Sequence, residues 1–211
     1  MSASAKLHLF VLLVFVVVLI WSAILPFDFF TWLLEVFPAL VGAALLARLY
    51  PRWRLTDLAL VLVLVHAVIL MVGGHYTYAE VPLFSWIRDL GFGTRNNYDK
   101  VGHFAQGFIP AIVAREVLLR NRVINGRSWL AFVVVCICLA ISAFYELIEW
   151  LVAVLAGAES EAFLGTQGYV WDTQTDMALA LFGAVCALIF LSRQHDRRLA
   201  ALAPVAGEVR G

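Results

Sequence analysis

The sequence predicts an all-α integral membrane protein, a bundle of six transmembrane helices with both termini on the cytoplasmic side. Composition is the first observation: of 211 residues 63% are hydrophobic and only 14% charged, against about 45–50% and about 25% in ordinary globular domains. The second is six apolar runs near the length of about 20 residues that a spanning helix needs. The third is that lysine and arginine gather on one face of the chain so threaded, the cytoplasmic face by the positive-inside rule. With 15 basic and 15 acidic side chains the net charge is zero, which argues against a nucleic-acid partner. The scarcity of polar tracts argues against disorder.

The first run, Leu7 to Leu25, follows Lys6. It is too long for a signal peptide and no small-residue cleavage site follows, so it reads as an anchor. The second, Phe29 to Leu49, holds Glu35 and Pro38, and the third, Leu55 to Gly73, holds His66. The fourth, Asp99 to Leu119, is more polar; the fifth is Trp129 to Leu155 and the sixth Asp172 to Leu191. Lys6, Arg48, Arg52, Arg54, Arg115, Arg120, Arg122, Arg127, Arg193, Arg197, Arg198 and Arg210 fall on one face, and only Arg88, Arg95 and Lys100 on the other. The outward loops are then Pro26–Asp28, His75–Tyr98 and Ala156–Trp171. Leu83, Phe84 and Trp86 beside Arg88 and Asp89 predict a short interfacial helix in the long second loop. In the third, the uncharged, aromatic stretch from Phe163 to Trp171 fits a segment folding inward as a lid. Residues 1–198 make one six-helix domain, with 199–211 a short cytoplasmic tail. Cys136, Cys138 and Cys186 lie in apolar runs and read as packing residues.

An ionisable side chain inside the hydrocarbon costs about 2.5–3.5 kcal/mol on insertion scales, so each needs a reason. Three helices carry such groups at one depth, near the outward end: Asp99, Lys100, His103 and Gln106 on the fourth, Glu146 and Glu149 on the fifth, Asp172 and Asp176 on the sixth. Asp99, His103, Gln106 and Pro110 are spaced four, three and four apart, which draws one stripe on one helix face. The two glutamates are three apart and the two aspartates four apart. Facing stripes are the simplest arrangement, since carboxylates turned to lipid stay unpaired. The five acids outnumber Lys100, Arg95 and His103, and the deficit points to a missing cation: a divalent metal, protons, a transported ion or a basic substrate group. Glu35 lies in the outward half of its helix, within reach of the cluster; His66, alone on an apolar helix, reads as a satisfied core histidine. Apart from His66, no matching polar groups are expected near the cytoplasmic ends, and His8 and His195 are assigned nothing.

Several polar strings recur in order: Gly74-His75-Tyr76-Thr77-Tyr78 with Pro82, Arg95-Asn96 with Tyr98-Asp99 and His103-Phe104, Tyr145-Glu146 with Glu149-Trp150, Gly165 with Gln167-Gly168, and Trp171-Asp172 with Asp176-Met177. Together they resemble the YjdF-like bacterial inner membrane proteins from the second helix to the sixth. The resemblance implies a bacterial inner membrane location and one shared site. Asp99-Lys100-Val101-Gly102-His103-Phe104, Glu146 and Asp172 through Gly183 are more weakly similar to VanZ-like proteins, which are associated with teicoplanin-type resistance. This chain departs from that pattern at Asp176, where Asn is preferred, and in its long second outward loop. The similarity implies an envelope-related role without carrying resistance over.

The leading expectation is an enzyme of the outer leaflet acting on a lipid-linked or envelope substrate. Asp99, His103, Glu146, Glu149, Asp172 and Asp176 are its catalytic candidates, and all of these but Asp99 are candidate ligands of a divalent metal. His75, Tyr78, Arg95, Lys100, Gln106 and Gln167 are candidate substrate-binding residues, with Lys100 or Arg95 on an anionic head group. A proton- or cation-coupled transporter and a non-catalytic scaffold with a polar packing core are the alternatives. Beyond the lipid bilayer and such a substrate, the sequence names no partner.

Overall fold

The computed structural model describes residues 3–157, 161–164 and 166–202. They form α1 (Ala3–Ala23), α2 (Phe29–Leu49), α3 (Asp57–Tyr76), α4 (Pro82–Asp89), α5 (Tyr98–Arg120), α6 (Arg127–Ala156), α7 (Glu161–Leu164) and α8 (Asp172–Ala200), with no strand among the described residues. Gly165, and the expected tail from residue 203 onward, lie outside the described residues.

Five helices are long and apolar enough to cross a membrane: Ser4–Ala23, Phe29–Leu49, Asp57–Tyr76, Arg127–Ala156 and Asp172–Ala200. The expected sixth crossing, α5, has the length at 23 residues but not the apolarity. It packs on α3, α6 and α8, so most of its polar side chains are buried against protein. The α5–α8 contact is the most extensive in the molecule. It depends on small residues, because a Cβ at Gly107 would overlap the backbone of Ala180, and one at Gly183 the backbone of Phe104. On the other flank α1 and α2 both pack on α3, around Trp32, Val36, Ala67 and Met71. A second core, with Ile112, Val134 and Ala184, joins α5, α6 and α8.

Local chemistry sets the ends. Asp28 caps α2, its Oδ1 accepting from Thr31 N at 2.6 Å. Thr56 caps α3, its Oγ1 accepting from Ala59 N at 3.2 Å. That helix stops where Thr77 turns left-handed (φ 55°) and Tyr78 follows at φ 38°. The reversal lays the Tyr78 ring over Gly73 and Gly102, where any Cβ would collide with it. A short helix does lie in the second loop, α4; Pro82 opens it, Leu83 and Trp86 are exposed, and Phe84 meets Tyr98 at 5.3 Å between ring centroids. All three cysteines are thiols; Cys138 is buried, whereas Cys136, two residues away on another face, is exposed on the apolar flank of α6.

Candidate functional site

The stripe on α5 faces α8 and α6, and it brings most of the expected acids together. His103 Nε2 lies 3.1 Å from Asp99 Oδ1 and 3.8 Å from Asp176 Oδ2, and its Nδ1 lies 3.9 Å from Glu146 Oε1. Gln106 Oε1 is on the same Nδ1 at 3.2 Å. Asp99, His103 and Asp176 are all buried, and each offers a ligand atom within 4.8 Å of the others. Ligand atoms about 2.0–2.2 Å from a zinc-sized ion lie some 3–4 Å apart, so the spacing fits a shared cation. Glu146 is 7% exposed, and its Oε1 finds no hydrogen-bond donor among the described residues.

The imidazole is surrounded by oxygen. With the Gln106 and Glu146 oxygens on Nδ1 and two carboxylate oxygens on Nε2, every near neighbour is an acceptor. A neutral ring has one hydrogen for two such faces; the second is met by an added proton, a metal ion or a Gln106 amide turned to donate.

Some of the missing positive charge is supplied by the chain itself. Lys100 Nζ lies 2.7 Å from Asp176 Oδ1, 2.9 Å from Asp172 Oδ1 and 3.2 Å from Asp99 Oδ2. Arg95 reaches Asp172 Oδ1 at 2.8 Å and Asp99 Oδ2 at 3.3 Å. Asp99 and Asp176 thus each turn one oxygen to Lys100 and the other to His103. Asp172, expected as a metal ligand, is turned to the two bases instead. Lys100 and Arg95, expected to hold a substrate anion, are occupied by these carboxylates, with Tyr169 beneath both at 5.7 and 5.6 Å from its ring centroid.

Glu149 stands on the far side of His103. With Glu35, Tyr78, Asp99, His103, Gln106 and Tyr145 it lines a cavity of about 130 Å³, which also touches Phe163 and Leu164 of α7. Glu35 joins the site as its depth suggested, its Oε2 accepting from the Tyr145 hydroxyl at 3.0 Å. His66 differs from its expected role as a satisfied core residue: it lines this cavity, and no hydrogen bond to it is found among the described residues. His75 is not at the cluster; its Nδ1 lies 3.0 Å from Ser22 O and its ring 4.6 Å from Trp21, in the α1–α3 seam.

The third expected outward loop does fold over the site. Phe163 is buried against Tyr145, 6.5 Å between ring centroids. Gln167 accepts from Asn96 N at 3.0 Å and donates to Asn96 O at 2.8 Å. Asn96 is itself fully buried, donating to Val81 O and Ser85 Oγ. Gln167 therefore pins two loops to each other rather than pointing at the acids. Asn96 and Tyr169 were not separable in sequence from ordinary loop polarity.

A second buried network, unexpected from the sequence, lies at the base-rich end. Glu116 and His195 are both 0% exposed. Glu116 accepts from Thr56 N at 2.9 Å, Thr56 Oγ1 at 2.7 Å, Arg120 Nη1 at 3.0 Å and His195 Nε2 at 3.0 Å. Arg115 Nη1 meets the other nitrogen of His195 at 2.9 Å. The signal available was Glu116 beside Arg115, inside the apolar run of α5.

Helices long enough to span, joined around a buried acid–histidine cluster near one end, define a polytopic membrane protein. The chain belongs to the family described as predicted membrane protein (DUF2238), whose model matches residues 7–197. It is 48% identical over 190 residues, 90% of this chain and 91% of its relative, to the inner membrane protein YjdF of Escherichia coli (strain K12). No solved structure matches it.

Proposed function

We propose that the chain crosses the membrane six times, with α5 as the protein-sheathed sixth span, and that it is a metal-dependent hydrolase or transferase. The acid-rich end faces outward by the distribution of bases, and the substrate is lipid-linked or another envelope component. The observation that carries this reading is that Asp99, His103 and Asp176, all buried, each offer a ligand atom within 4.8 Å of the others. A divalent cation held by Asp99, His103 and Asp176 would answer the two carboxylate oxygens that converge on Nε2, with Glu146 on the Nδ1 side of the same ring. The N,O donor set suits zinc, manganese, iron or magnesium. Such an ion supplies Lewis acidity toward a phosphoryl or carbonyl oxygen. Gln106 fixes the ring of His103, Lys100 and Arg95 hold Asp99, Asp172 and Asp176 in place, and Glu149 is the spare carboxylate positioned to take a proton.

The test is turnover of a polyprenyl-linked phosphoester by protein in lipid nanodiscs, with and without a chelator, beside Glu149→Ala. Cation-dependent turnover, lost in a Glu149→Ala protein that still folds, is expected. Loss of folding in that variant, without turnover in the wild type, contradicts the enzyme reading and favours a packing core. A reporter placed after Gly157 should be external and one after Asn125 cytoplasmic; the reverse would put the site in the other compartment.

Cation-coupled transport is a second reading, favoured by one observation: His66 lies on the cavity wall between the acid-rich cluster and the base-rich half. It predicts ion flux across sealed vesicles without turnover.

A further inference from the structure

Below the polar cavity lies a larger one of different character. About 690 Å³ in volume, it runs between α1 and α2 over the face of α3, walled by side chains such as Leu12, Phe15, Leu46, Val63 and Leu64. Its polar groups are few: His8 and Tyr50 near the base-rich end and His66 near the other. Pro38, His66 and Leu70 line both cavities, so the apolar space begins where the polar one ends. Gly42 contributes room, because a Cβ there would have no heavy atom within 4 Å. The far end is closed off by hydrogen bonds, His8 to Tyr50 at 2.7 Å and His8 and Ser4 to Asp57 at 3.2 and 3.0 Å.

An acid–histidine pocket adjoining an apolar trough of this size across Pro38, His66 and Leu70 has the two-part chemistry of an amphiphile. We infer that the trough holds an aliphatic chain of a membrane lipid, whose head group lies in the cavity lined by Glu35, Asp99, His103 and Glu149. The inference rests on the proposed function and names its substrate class: a lipid that enters sideways from the bilayer between α1 and α2. Apolar ligands are bound in this way by concave apolar walls with a few convergent polar groups at one end. A lipid with its head at the acid-rich end would direct its chain toward the base-rich leaflet, the direction in which the trough extends. The few polar groups at the trough's far end bond to one another or to neighbouring helices, leaving a chain terminus nothing polar to desolvate.

The experiment uses the full chain in nanodiscs doped with a phospholipid that carries a photoactivatable diazirine in its acyl chain. Cross-linked residues are mapped by peptide mass spectrometry. Labelling should concentrate on trough residues such as Leu12, Phe15, Leu46 and Leu64. It should fall at least fivefold in Gly42→Phe, which fills the space, and persist in Gly42→Ala, with thermal melting confirming that both fold. Labelling spread evenly over outward apolar residues such as Phe132, Leu151 and Phe182 means annular lipid only and overturns the inference, as does labelling indifferent to Gly42→Phe. The wild-type map decides the question even if Gly42→Phe does not fold. Excess polyprenyl phosphate that displaces the label identifies an isoprenoid chain, while displacement by unlabelled phospholipid alone identifies a fatty acyl chain. A trough that labels in a protein without metal or turnover keeps the lipid site and discards the enzyme reading, so the two fail separately.

Discussion

The two buried histidines of the bundle sit in opposite electrostatic surroundings. His195, at the base-rich end, has a donor on one side and an acceptor on the other, Arg115 and Glu116, which a neutral ring satisfies with one hydrogen. Glu116 in turn receives four hydrogen bonds. His103, at the acid-rich end, has oxygen acceptors on both nitrogens, and the neighbouring Glu146 has an oxygen with no donor. The first network is complete, as a structural network in an apolar interior must be. The second, built at comparable burial, has Lys100 and Arg95 on three of its carboxylates but leaves a Glu146 oxygen without a donor among the described residues. That contrast between a saturated buried carboxylate and one short of donors supports the proposed cation site.

Substitutions at the two ends should therefore behave differently. Glu116→Ala strands Thr56 N, His195 and Arg120 and should cost about 3–5 kcal/mol. Chemical unfolding in detergent reads this, and a cost below about 1 kcal/mol would dissolve the distinction between the ends. Lys100→Met leaves Asp172 to Arg95, Asp176 to His103 and Asp99 to both, and should cost about 3 kcal/mol. Added divalent cation should restore part of that loss in a thermal melt and none of the loss in Glu116→Ala. Gln167→Ala removes the paired bonds to Asn96 and should cost about 1–2 kcal/mol, with faster amide exchange confined to residues 94–98 and the facing loop. Glu146→Gln, an isosteric change at a carboxylate with one oxygen that lacks a donor, should shift stability by less than about 1 kcal/mol. A large loss there would show that Glu146 is already satisfied.

The helices were legible because the apolar runs are long and bounded by charge, proline or glycine; the caps at Asp28 and Thr56 that set their ends were not read. Spacing on α5 was enough to predict that Asp99, His103 and Gln106 share a face, and depth was enough to bring Glu146 and Asp176 to them. What spacing does not carry is the direction of long side chains. Lys100 lies one position from the stripe, yet its flexible stem carries the ammonium to three carboxylates. Asp172 is one helical turn from Asp176 and pairs with bases rather than with His103. His75 sits at the expected end of α3 but on the side facing α1. The base-rich network was hidden for another reason: Arg115 read as a member of the cytoplasmic charge belt and His195 was assigned nothing, and only the packing of α5 on α3 and α8 shows them to be buried.

Metal content of detergent-purified protein, measured by inductively coupled plasma mass spectrometry, tests the account at its centre. Wild type is compared with Glu146→Gln/Asp176→Asn, with thermal melts in parallel. Near-stoichiometric metal in the wild type, lost in a double variant that remains folded, is the predicted result. Metal absent from both proteins, or retained in full by the double variant, would contradict it.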